Sequence, residues 1–228
     1  TVEGTGTASM TYSFDRLAIA SGGKLYLWNS ASFVEVTDPD LGEVLDVTWV
    51  DGYFVTTDGT SIVVTELSDP TQVDPLKYGS AEVDPDPVKA ILKLRNELYA
   101  VNRHSIETYQ NVGGTGFPFQ AIRGAQIHRG SVGTHTAVVY KDAIAFIGGG
   151  RNEAPAVWLG ANGTSQKIST REIEEVLSTY TEAELAASYM EVQTAKGHDT
   201  IMIHLPKVTA CYDGNASQAM GQPGREVA

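Results

Sequence analysis

Basic residues are scarce in this chain. Sixteen Lys and Arg stand against 28 Asp and Glu, a formal net charge of −12. The cations are scattered singly, with no basic run. Grip on nucleic-acid phosphates or on an anionic membrane surface depends on clustered Lys and Arg, so sequence-specific nucleic-acid binding and membrane binding are both discounted. Cysteine is nearly absent: Cys211 stands alone, which excludes intrachain disulfides and cysteine-rich zinc sites. Long hydrophobic runs are missing too. The longest candidate, 137–148, is interrupted by Lys141 and Asp142, and nothing approaches the roughly 18 apolar residues of a membrane span. The first residues carry neither a methionine nor a basic start with an apolar core, so the expectation is a processed chain or a piece of a longer one.

What the sequence does have is a succession of short strands. Hydrophobic residues make up 42% and charged residues 19% of the chain, enough for a packed core. Leu17–Ala20 and Lys24–Trp28 flank a Ser21-Gly22-Gly23 turn. Val44–Val50, Tyr53–Thr57 and Ser61–Thr65 are separated by Asp51-Gly52 and Asp58-Gly59. Asp-Gly between alternating apolar residues is a strong hairpin signal, because glycine takes the positive φ that tight hairpin turns demand. Val88–Leu94, Glu97–Val101 and Ser105–Tyr109 repeat the plan, as do Thr136–Tyr140, Ala143–Ile147 and Ala156–Leu159. A last group holds 189–194, Thr200–His204 and Val208–Tyr212, with Pro206 at the bend, where its missing N–H does no harm. His198 and Asp199 are expected in the turn that precedes Thr200.

About five such units recur, at intervals near the roughly 40–50 residues of four-stranded propeller blades. The expected fold is therefore all-β: a β-propeller of four-stranded antiparallel blades over residues 1–214, incomplete as it stands. The alternative is a β-sandwich, whose strands also recur with hairpin turns. Residues 215–228 are small and polar and are expected to be a flexible or truncated tail. A short two-helix insertion near 170–188 breaks the pattern. Ser169–Glu172 and Thr181–Glu184 both have the form of a capping box, and Ile173, Val176, Leu177 and Tyr180 follow the first at helical spacing.

No catalytic constellation emerges. The glycines at 113, 114 and 116 lack the strand–loop–helix context of a phosphate cradle. His198, Asp199 and His204 are close in sequence, but on one strand residues 199 and 204 face opposite ways, which argues against a shared metal. Cys211 reads as a small apolar strand residue. No metal or cofactor is implied. Aromatic residues are enriched at interfaces, so Phe117 and Phe119 are the first candidates for a protein-docking loop. The helix bearing Ile173, Val176, Leu177 and Tyr180 is second. The plainer and favoured reading of both is packing onto the core.

Several stretches resemble a known family, the packaged DNA stabilisation proteins of short-tailed bacteriophages, also called tail accessory or tail hub proteins. They are Ser105-Ile-Glu-Thr-Tyr109, Gly130-Ser-Val-Gly133, Ala143–Ile147, Ala154-Pro-Ala-Val-Trp158, the helix from Ile168 to Glu184, His198-Asp199, Ile201–Pro206 and Tyr212-Asp213. The resemblance implies a noncatalytic structural protein of the virion tail, made in the bacterial host cytoplasm. It implies a ring of copies that helps close the portal channel after DNA packaging and joins the portal or portal-adaptor protein to the tail needle and tailspikes. It brings no catalytic residue and no cofactor. The alternative function is a glycan-binding or glycan-hydrolysing propeller of a phage tail.

Overall fold

A computed structural model describes residues 1–4, 6–80 and 86–215. Of the tail expected at 215–228, all but Asn215 lies outside the described residues. The chain divides into two compact units, one of residues 1–102 and 107–123, the other of 103–106 and 124–228.

The first unit is built around three antiparallel sheets, each wound in sequence order. The first holds β1 (Ser9–Tyr12), β2 (Leu17–Ser21), β3 (Lys24–Trp28) and β4 (Phe33–Glu35). The second holds β5 (Asp46–Val50), β6 (Tyr53–Thr57), β7 (Ser61–Val64) and β8 (Gly79–Ser80). The third holds β9 (Val88–Leu94), β10 (Glu97–Asn102), β11 (Ile106–Asn111) and β12 (Phe119–Ala121). Both Asp-Gly turns fall where the sequence places them, and Asp51, Gly52 and Gly59 take positive φ.

Successive side chains of a strand face opposite sides, so a sheet between two others must be apolar on both. The second sheet is such a case, and every residue of β6 is buried. Phe54 and Val63 pack with Ala18, Leu25 and Leu27 of the first sheet, while Val55, Ile62 and Val64 pack with Ile91, Leu98 and Ala100 of the third. Burying side chains of this size stabilises by about 1.5–3 kcal/mol each.

Among the described residues the second unit has two sheets. One holds β13 (Gly130–Ser131), β14 (Ala137–Tyr140), β15 (Ala143–Gly149), β16 (Ala156–Ala161) and β17 (Thr164–Lys167), with β13 and β14 both pairing β15. The other holds β18 (Tyr189–Ala195), β19 (His198–His204) and β20 (Thr209–Asp213). Between them in sequence lie α1 (Arg171–Ser178) and α2 (Glu182–Ala186). Ala145, Ile147 and Val157 pack with Ile201, Ile203 and Ala210, and Leu177 and Leu185 close this core from the two helices.

Two local expectations are corrected. His198 and Asp199 belong to β19 and not to the turn, because Lys196 and Gly197 both take positive φ and complete a two-residue turn that pairs His198 with Ala195. The first capping box does not form. Ser169 stays on the strand side, its Oγ accepting the Val157 amide at 3.2 Å and meeting Glu174 Oε1 at 3.1 Å, so Thr170 becomes the N-cap. The second box forms as expected: Thr181 Oγ1 accepts from the Glu184 amide at 3.3 Å and Glu184 Oε2 accepts from the Thr181 amide at 2.8 Å.

One buried charge ties the first unit together. Asp46, at the start of β5, is 6% exposed. Its Oδ1 accepts the Val47 amide at 2.9 Å and its Oδ2 accepts the Ile91 amide of β9 at 2.8 Å. The Ser9 side chain of β1 hydrogen-bonds the same carboxylate. Three strands, each the first of its sheet, therefore meet on one side chain. Burial raises its pKa from 3.8 to about 6, against the lowering effect of Ser9, Ile91 and Val47. Because the folded value lies above the unfolded one, this group's stabilisation is full below about pH 4 and is lost as pH rises through 6, a change of about 3 kcal/mol. Urea unfolding of the wild type and Asp46→Asn at pH 4.5 and pH 7 should show the wild type losing ground to the variant as pH rises. A stability difference that stays constant across that range would contradict the assignment.

Candidate functional site

The strands β1, β5 and β9 each run into a turn, and the three turns converge. The first is Ser13–Arg16, closed by the Ser13 amide donating to Arg16 O at 2.8 Å and the Arg16 amide donating to Ser13 Oγ at 3.1 Å. It carries Phe14 out into solvent, 89% exposed. The second is Asp51-Gly52, which follows Trp49 on β5. The third is Arg95-Asn96, in which Arg95 takes positive φ and Asn96 does not, the pattern of a type II′ turn. With Leu67, Ser68 and Pro70 from the segment after β7, they line a cleft of about 610 Å³. Ligand sites commonly fall between roughly 300 and 1,000 Å³.

The cleft has an aromatic pair, with Phe14 at its lip, and polar groups on its rim. Phe14 meets Trp49 edge to face, with centroids 5.2 Å apart and planes at 81°. This geometry places the positive edge of one ring on the negative face of the other. Lys93 Nζ lies 4.5 Å from the Trp49 ring centroid. On the rim, Arg16 Nε pairs with Asp15 Oδ2 at 3.2 Å. Asn96 Nδ2 donates to Asp51 Oδ1, joining the second turn to the third. Leu67 packs close over Gly52: a Cβ there would lie 2.9 Å from Leu67 Cδ2.

The other residues singled out in the sequence lie elsewhere. His198 Nδ1 is 2.8 Å from Asp213 Oδ2, and Asp199 Oδ1 accepts from Thr194 Oγ1 at 2.7 Å. His204 stacks on Tyr189 with centroids 4.3 Å apart and reaches Glu191 Oε1 at 3.1 Å. Each of the three thus has its own partners, and among the described residues no group of three or more His, Cys, Asp or Glu is placed to hold a metal. Burial and Asp213 push the Cys211 thiol pKa up, away from the reactive thiolate. The glycine-rich stretch is a loop closed by the Val112 amide on Pro118 O at 2.9 Å. Sequence reasoning missed Phe14 and Trp49. The available signal was a large apolar residue, Phe14, inside the polar turn Ser-Phe-Asp-Arg.

Comparison with known proteins gives one family match and many similar folds. The family model described as "Bacteriophage P22 Gp10, beta-propeller" matches residues 1–224. The tail hub protein gp10 of Salmonella phage P22 is 28% identical over 235 residues, covering 95% of this chain and 49% of its own length. The chain thus spans about half the length of that relative. Among solved structures, Saccharomyces cerevisiae Sqt1 superposes with a TM-score of 0.56 at 11% identity, over 100% of this chain and 62% of its own. The extracellular domain of the hybrid two-component system BT4673 from B. thetaiotaomicron gives 0.60 at 12% identity, over 95% of this chain and 28% of its own. At such identities these two similarities speak to fold alone.

The docking candidates are packed to differing depths. Phe119 is 4% exposed and Leu177 1%. Ile173, Val176 and Tyr180 are half-buried against the core of the second unit. Phe117 is half-buried in the first unit, tilted on Phe119 at 5.8 Å and edge-on to Tyr109 at 6.5 Å. Its ring rests on Gly79, where a Cβ would come within 2.3 Å of Phe117 Cε1. Gly79→Ala should therefore cost about 1–3 kcal/mol through overpacking. In a Phe117→Ala background the same change should cost far less, and the coupling is read from a double-mutant cycle of unfolding free energies. Additive costs would mean that Phe117 does not lie on Gly79.

Proposed function

The chain belongs to the phage-stabilisation β-propeller family typified by phage P22 gp10, and from that membership we propose that it is a noncatalytic structural component of a phage tail hub. The single observation carrying this reading is the family match across residues 1–224. It is supported by the relative named as a tail hub protein, which aligns with 95% of the chain. In the finer form of the proposal, copies assemble as a ring that helps close the portal channel after DNA packaging. The ring links the portal or portal-adaptor protein to the tail needle and tailspikes.

The charge of the chain is compatible with that work. Closing a channel by assembly requires no grip on phosphate, and a surface of net charge −12 discourages adhesion of a departing genome. The site geometry favours no hydrolytic reading: the Asp15 carboxylate pairs with Arg16 and that of Asp51 accepts from Asn96, so each is held by its own neighbour. The full-length protein mixed with portal–adaptor complexes should give added ring density at the channel exit by electron microscopy. No added density, under conditions in which a tail hub relative binds, would contradict the proposal.

A further inference from the structure

The cleft formed by the three turns has no role in the tail hub reading, and from its geometry we infer that it binds a neutral oligosaccharide. The inference goes beyond the proposed assembly function and does not depend on it. Phe14 is the first observation. A phenyl ring left 89% exposed at the lip of a cleft is a large apolar surface held in water, and the edge-to-face contact with Trp49 fixes its orientation. The C–H faces of a sugar ring stack on such a surface, while sugar hydroxyls require polar partners alongside. The rim supplies them on separate turns: the Asp15 and Asp51 carboxylates, the Asn96 amide and the Ser68 hydroxyl all line the cleft. Carboxylates and amides present several acceptor and donor positions in one plane, suited to adjacent hydroxyl groups.

Charge narrows the ligand further. Arg16 is the one cation in the cleft lining, and its Nε pairs with Asp15 at 3.2 Å, while Lys93, with Nζ 4.5 Å from the Trp49 ring centroid, stands outside the lining. An anionic sugar would meet two carboxylates, Asp15 and Asp51, against the single cation Arg16, so a neutral chain fits better. The site is also largely preformed. Asp51 holds Asn96, and Ser13 closes the first turn, which lowers the ordering cost of binding. A protein partner is the competing occupant. Interface hot spots sit in enclosed, dry pockets, whereas these rings stand on an open cleft with polar groups among them.

The test uses the full-length protein on an array of short neutral oligosaccharides of hexoses and N-acetylhexosamines, with affinities then measured by titration calorimetry. The expected result is saturable binding that Phe14→Ala weakens at least about tenfold. Asp51→Asn, which keeps a residue tolerant of positive φ, should weaken it less, with the melting temperature of both variants unchanged. Absence of saturable binding across the array overturns the inference, as does binding that Phe14→Ala leaves intact. Capture of a tail protein that depends on Phe14, without glycan binding, overturns it in favour of a protein interface. Assembly with portal–adaptor complexes is expected to survive Phe14→Ala, so failure of this inference and failure of the tail hub proposal are separable.

Discussion

The first unit depends on a carboxylate that has been taken out of water. Asp46 is buried where β1, β5 and β9 come together, and it survives there because two backbone amides and a serine side chain replace its hydration. Leaving a buried donor without an acceptor costs about 1–3 kcal/mol, so Val47 and Ile91 each constrain the carboxylate as firmly as it constrains them. An apolar residue at position 46 could fill the space but could not accept either amide. The three strands tied at this point are the same three whose following turns make the cleft. Burial at one end of the strand layer and exposure of Phe14 beyond the other are thus parts of one arrangement.

The same economy appears in the second unit. Gly133 lies so close to α2 that a Cβ would come within 2.4 Å of Ala186 O. Its amide donates to Thr136 Oγ1 at 2.8 Å, and that hydroxyl is also 2.8 Å from Ser131 Oγ. The Gly130-Ser-Val-Gly133 stretch that resembles the phage family is thereby explained as a packing signature: small residues and hydroxyls let a turn meet a helix. Trp158 is similar, with its Nε1 donating to Gly148 O at 3.0 Å and the Arg129 guanidinium 4.1 Å from its ring centroid. Arg129 is held in turn by two 2.7 Å contacts to Glu153. These are architectural roles.

Much of this fold was legible in the sequence because hairpin chemistry is local. Asp51-Gly52, Asp58-Gly59 and the apolar runs around them specify strands without reference to anything distant. The strands that escaped notice are short: β8 is Gly79–Ser80, β12 is Phe119–Ala121 and β13 is Gly130–Ser131. Two or three residues carry no periodicity. β1 escaped because Ser9-Met-Thr-Tyr12 buries neither face fully, leaving Met10 and Tyr12 exposed. The first capping box misled because Ser169 had a better partner in β16 than in the helix. The cleft could not be read at all, since it needs turns at 13–16, 51–52 and 95–96 to converge, and no local pattern records that. Phe117 and Phe119 drew attention as aromatics beside glycines, yet the most exposed ring among the described residues is Phe14.

The dependence on Asp46 is tested most directly by hydrogen exchange at the Ile91 amide. In the wild type this amide should exchange only through the largest opening of the first unit, as slowly as core amides of β6 such as Val55. In Asp46→Ala its protection should fall before that of β6. If Ile91 exchanges in the wild type as fast as amides of the exposed turn at 58–60, Asp46 does not hold β1, β5 and β9 together and the account is wrong.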